Sequence, residues 1–109
     1  MVLQYRVTVP VAAKDAREEM IRKVLAGFAG SHSGYEFTHC SHRLEATGSL
    51  AKSVTEYILD RPGIPLAYVA IENSHFKAYR RKLECPAQFH IEVRNDRMSD
   101  LFRELTKAD

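Results

Sequence analysis

Tryptophan is absent, and cysteine occurs only twice, as Cys40 and Cys85. Two cysteines make neither a disulfide framework nor a four-cysteine zinc site. Without a secretory leader they are expected to stay reduced, although a single bridge between them is left open. No apolar run approaches the ~20 residues that a membrane-spanning helix needs. The opening Met1-Val2-Leu3-Gln4-Tyr5-Arg6 has neither the basic start nor the apolar middle of a signal peptide, so the expected compartment is the cytoplasm. The formal net charge is only +2, too small to imply a nucleic-acid partner except through a local patch. CxxC and HExxH spacings, a glycine-rich phosphate loop, an RNP aromatic motif, paired carboxylates and a nucleophile motif are all missing. No metal or cofactor is therefore assigned from the sequence.

What is present is an ordinary globular composition: 45% hydrophobic and 28% charged residues over 109 positions, without a linker, repeat or low-complexity stretch. It fits a single α+β domain spanning residues 1–109. The organising stretch is Ile64 to Glu72. Ala67, Val69 and Ile71 alternate with Leu66, Tyr68 and Ala70, so the run is apolar on both faces, as in a strand from the middle of a sheet. Pro62-Gly63 and Asn73-Ser74 punctuate it.

Leu3 to Val9 alternates as a half-buried strand, ended by Pro10. Asp15 to Phe28 carries a helical stripe of Met20, Ile21, Val24, Leu25 and Phe28. Asp15 and Glu18 are spaced as a capping box, and Gly30 stands as a stop. Tyr35 to His42 begins as a strand whose pattern shifts near His39, through a bulge or by ending there. Residues 49–60 place Leu50, Val54, Tyr57 and Ile58 at helical spacing behind a Thr47 or Ser49 cap. Ser74 to Glu84 fits a helix better than a strand, with Phe76, Tyr79 and Leu83 on one side. A long basic hairpin is the alternative. Gln88 to Arg94 alternates again, with His90, Glu92 and Arg94 outward. A last helix, capped by Asn95 or Asp96, carries Met98, Leu101, Phe102 and Leu105.

This order predicts a ferredoxin-like split β-α-β sandwich: a four-stranded sheet with an inserted helix at 49–60 and an extra C-terminal helix. Leu66 and Tyr68 would then form an apolar strip on the uncovered face, to be closed by the extra helices, by a second copy in a homodimer, or by a ligand. Ser74-His75-Phe76-Lys77-Ala78-Tyr79 resembles the start of the helix that follows the third strand in the dimeric α+β barrel proteins. That resemblance implies two such sheets packed face to face around a pocket. It brings no catalytic motif, and the inserted helix departs from the pattern.

Two clusters carry candidate chemistry. His39, Cys40 and His42 are weak metal candidates: on a strand Cys40 and His42 share a face, and His32, Cys85 or His90 is available to complete a zinc site. A packed free cysteine beside partly exposed histidines is the simpler reading and is preferred. A Cys-His nucleophile pair ranks lower, because Cys40 and His39 point to opposite faces of a strand. The second cluster is the partner-binding set His75, Lys77, Tyr79, Arg80, Arg81 and Lys82 on the basic helix, with Tyr68 as an aromatic anchor. It predicts a non-enzymatic interaction module docking on a macromolecule. A protein partner is favoured over nucleic acid because the net charge is near zero. The alternative is a small-molecule enzyme or sensor of the dimeric α+β barrel kind, with Arg6, Tyr68 and His90 lining its pocket and His75 as general base.

Overall fold

The computed structural model describes residues 2–47, 50–62, 64–78, 81–94 and 98–107, with the backbone alone at 47, 50, 75–78 and 81–84. The elements are β1 (Leu3–Val9), α1 (Val11–Ser31), β2 (Glu36–Thr47), β3 (Leu50–Arg61), β4 (Ile64–Ala78), β5 (Arg81–Glu84), β6 (Ala87–Val93) and α2 (Ser99–Thr106). Strand order across the sheet is β1-β6-β4-β3-β2, with β5 paired to the far part of β4. Every pairing is antiparallel.

This topology overturns the ferredoxin-like expectation. That fold interleaves two β-α-β units in a four-stranded sheet, whereas among the described residues six strands are present, a helix links only β1 to β2, and β2, β3 and β4 follow one another as antiparallel neighbours. Residues 50–60 are not an inserted helix but belong to β3, paired with β2 on one side and β4 on the other. Residues 74–78 and 81–84 are not a basic helix either. They are the end of β4 and the return strand β5, paired from His75↔Glu84 to Ala78↔Arg81. The hairpin alternative is the one the chain adopts. Ile64–Glu72 lies in the middle of the sheet, as its two-sided apolar pattern predicts.

Three irregularities shape the sheet. His39 pairs with Tyr57 and Ser41 with Glu56, which leaves Cys40 as the extra residue of a bulge, after which β2 continues to Thr47. Leu59 pairs with Ala67 and Asp60 with Pro65, so Leu66 is the extra residue on β4. At a bulge two successive side chains lean to the same side. Leu66 accordingly joins Ala67 in the core at 7% exposure. The apolar strip of Leu66 and Tyr68 expected to need covering is thereby reduced to Tyr68. Between β5 and β6, the Cys85 N–H still donates to the Ser74 carbonyl at 2.8 Å, and Pro86, which has no N–H, follows at the break.

Both helices pack on one face of the sheet. Leu3, Tyr5, Val7 and Val9 of β1, Phe89, Ile91 and Val93 of β6, Val69 and Ile71 of β4, and Tyr57 and Leu59 of β3 meet Ile21 and Leu25 of α1 and Leu101 and Leu105 of α2. α1 starts at Pro10, earlier than the capping box implied, with no side-chain cap. Asp15 and Glu18 instead flank Lys14, at 3.4 and 3.6 Å. Gly30 lies within the helix. The chain leaves it at His32, whose N–H still donates to the Phe28 carbonyl, and turns at Gly34 with φ 91°. The expected Asn95 or Asp96 cap of α2 falls outside the described residues.

Candidate binding cleft on the uncovered sheet face

Alternation places every second residue of the sheet on the face that the helices leave open, and register aligns these residues in three rows. The first row runs Gln4, Glu92, Tyr68, Ile58 and Thr38. The middle row runs Arg6, His90, Ala70, Glu56 and Ser41. The third runs Thr8, Gln88, Glu72, Val54 and Arg43. The smallest side chain near the centre is Ala70. Its neighbours along β4 are Tyr68 and Glu72, so the sheet is dimpled there. The resulting cleft is about 350 Å³ and is lined by Arg6, Tyr68, Ala70, Glu72, Gln88, Phe89 and His90. This places it at the lower end of the ~300–1,000 Å³ common for ligand pockets.

Two polar clusters joined by a ring contact cross this face. Glu56 accepts from Arg43, and the Tyr68 and Ser41 hydroxyls beside the same carboxyl favour its ionised form. The Arg43 contact holds the Glu56 carboxyl below its usual range. Burial, reinforced by the Glu56 hydrogen bond, pushes the Tyr68 phenol up to about 12. The Tyr68 ring meets the His90 ring edge-on, with centroids 6.3 Å apart. His90 Nε2 lies 3.0 Å from Glu92 Oε1, which also accepts from Gln4 at 3.3 Å, while Arg94 approaches the other Glu92 oxygen at 3.9 Å. Glu72 is paired with Lys52 at 3.2 Å. Thr8 donates to the Gln88 carbonyl oxygen at 3.0 Å, which turns the Gln88 amide nitrogen toward other partners. Two groups stand apart from this network among the described residues. The exposed Arg6 guanidinium has no ion pair or hydrogen bond, and the buried Nδ1 of His90 has no partner.

The structure brings Arg6, Tyr68 and His90 together at this cleft. It does not bring the basic set there. His75, Lys77, Arg81 and Lys82 lie on the hairpin arm formed by β4 and β5, where Lys77 and Lys82 share one register position. Tyr79 and Arg80 fall outside the described residues. Nor does it assemble the metal candidates. His39 packs against Tyr57 at 5.2 Å, His42 Nδ1 lies 2.9 Å from the Thr55 hydroxyl, and His32 stacks on Phe28 at 3.9 Å. Cys40 and Cys85 are free thiols, and no group of three potential metal ligands clusters among the described residues. No described helix is long and apolar enough to cross a membrane.

Sequence reasoning missed Glu56, Arg43, Gln88 and the enabling Ala70. Glu56 was hidden by the helical reading of residues 49–60. The outward alternation of Gln88, His90 and Glu92 was the signal that one face of β6 stays wet. A second hollow, about 480 Å³, lies between the helices, with Val24, Gly27, Phe28, Met98 and Leu101 in its wall. No protein-family model, curated protein or solved structure matches this chain.

Proposed function

We propose that this chain is a small binding module that takes a small molecule in the Ala70 cleft. The observation that carries this reading is the convergence on one small residue of two ring walls, Tyr68 and His90, and of polar groups from β1, β4 and β6. Binding is favoured over catalysis. No serine, threonine or cysteine lines the cleft, and the one histidine there is tied through Nε2 to Glu92. Backbone amide NMR with a fragment set tests it. Ligands are expected to move the amides of residues 68–72 and 88–92, and Ala70→Leu, which fills the floor, is expected to remove those shifts. Shifts confined to the inter-helix hollow count against the cleft.

A second reading keeps the macromolecular partner and moves it to the hairpin arm. It is supported by the register that sets Lys77 beside Lys82 and Ala78 beside Arg81. Dense positive charge on a narrow arm suits an acidic protein surface and, less well at this net charge, a nucleic acid. Lys77→Glu with Arg81→Glu is expected to weaken retention on polyglutamate and flatten its salt dependence. Unchanged retention removes the arm from consideration.

A further inference from the structure

Resting on the small-molecule reading of the cleft, we infer that its ligand is an aromatic monocarboxylate, with the ring over Ala70, against the touching rings of Tyr68 and His90, and the carboxylate on Arg6. The inference comes from matching charges across the open face. Each acid there already has a cation or a set of donors. Glu56 has Arg43, Ser41 and Tyr68; Glu72 has Lys52; Glu92 has His90, Gln4 and Arg94. On this face, among the described residues, Arg6 alone carries a charge with no counterpart, and it stands at the lip of the cleft. The unmatched charge is therefore a single positive one, fixed in position by the Arg6↔His90 register.

A guanidinium presents paired N–H donors whose spacing fits the two oxygens of a carboxylate. The Gln88 amide nitrogen, left over after its carbonyl accepts from Thr8, adds a neutral donor at the same lip. A dianionic phosphate fits less well, because its second charge would face Glu72 and Glu92 without a cation to answer it. A cationic ligand fits least, since those carboxylates are already paired. The ring half of the ligand follows from the walls. Tyr68 and His90 together offer one aromatic surface, and the small Ala70 methyl leaves space beside it.

The test uses the intact chain and four probes of one shape: benzoate, benzamide, benzylamine and phenyl phosphate. Amide shifts at Arg6, Ala70 and His90 report binding at the cleft. Benzoate is expected to bind roughly tenfold more tightly than benzamide, the difference between a guanidinium–carboxylate ion pair and a guanidinium hydrogen bond to a neutral amide. Arg6→Gln, on an exposed edge-strand position, is expected to erase that preference, with benzoate losing more affinity than benzamide. Equal affinity for benzoate and benzamide, or a preference for benzylamine or phenyl phosphate, overturns the carboxylate inference but leaves the cleft standing. If no probe moves the cleft amides and Ala70→Leu changes nothing, the cleft reading falls as well.

Discussion

At the residue scale the decisive pair is Tyr68 and Glu56, whose shifts in opposite directions set opposite pH limits. The Tyr68 phenol is raised from its ordinary value near 10 to about 12. Its contribution to stability is thus fully present below pH ~10, where the unfolded phenol is still protonated, and is lost as pH rises through the folded value of about 12. Tyr57 is also raised by burial and follows the same sign, so the comparison that isolates Tyr68 is wild type against Tyr68→Phe. The alkaline fall in the urea midpoint is expected to be shallower in the variant. Glu56 behaves in the opposite sense. Its carboxyl is held down mainly by Arg43, so its contribution is present above the ordinary carboxylate range and lost as pH falls through the lowered folded value. Glu56→Gln is expected to flatten the acid limb of the same curve and leave the alkaline limb largely in place.

At the element scale, the parts of the fold that can be read from sequence are those with one period. β1 and β6 alternate without interruption, α1 has its five-residue apolar stripe, and β4 is apolar on both faces; all four appear where expected. β3 was misread because Leu50, Val54, Tyr57 and Ile58 satisfy helical spacing, while Val54 to Leu59 also suits a strand whose two faces are both used. Only the partner strands on either side decide between those periods, and no local window contains them. The same holds for residues 74–84, where Lys77 and Arg81 look like helix neighbours, whereas Lys77 in fact pairs with Lys82 across two strands. The cleft was half legible: alternation exposed Arg6 and His90, but the row joining them to Ala70 and Glu56 depends on register. Leu66 shows the limit most clearly, because a single extra residue on β4 changes which face it serves.

Two substitutions check these element-level assignments. Leu66→Ala is expected to cost ~2–5 kcal/mol in denaturant unfolding, as for a buried leucine in a packed core. Leu44→Ala, at a side chain 77% exposed on β2, should stay within about 0.5 kcal/mol. A small effect at Leu66 would return that side chain to the open face. Within α1, Gly30→Ala is expected to stabilise by about 0.5–1 kcal/mol, since the position is helical and an added methyl meets nothing within 4 Å. Gly34→Ala should destabilise, because φ 91° is strained for any side chain.

At the scale of the whole molecule, the described chain is elongated, 50 × 29 × 24 Å, because β2, β3 and β4 run on past the part of the sheet that the helices cover. Its closed end holds the core, and its bare end carries the basic hairpin arm. Hydrogen exchange is expected to follow that division, with the amides of Val69, Ile71 and Ile91 the slowest and those of the β2 edge among the fastest. A uniform exchange profile along β4 would contradict it.

The pairing of Leu3 with Val93 has a temporal consequence. Among the described residues β1, which precedes every other strand in this sequence, pairs only with β6, which follows all the others. Until residues 87–93 emerge, β1 has α1 beside it and no ladder to join. β1 is thus made before its partner and docks only after it, so the sheet closes by a contact between the two described strands farthest apart in this sequence. Such long-range closure belongs to the slow, millisecond-to-second class of folding. A nascent chain halted before Ala87 would present an unmatched, alternating apolar strand to its surroundings, which is where a chaperone holding this protein would be expected to grip.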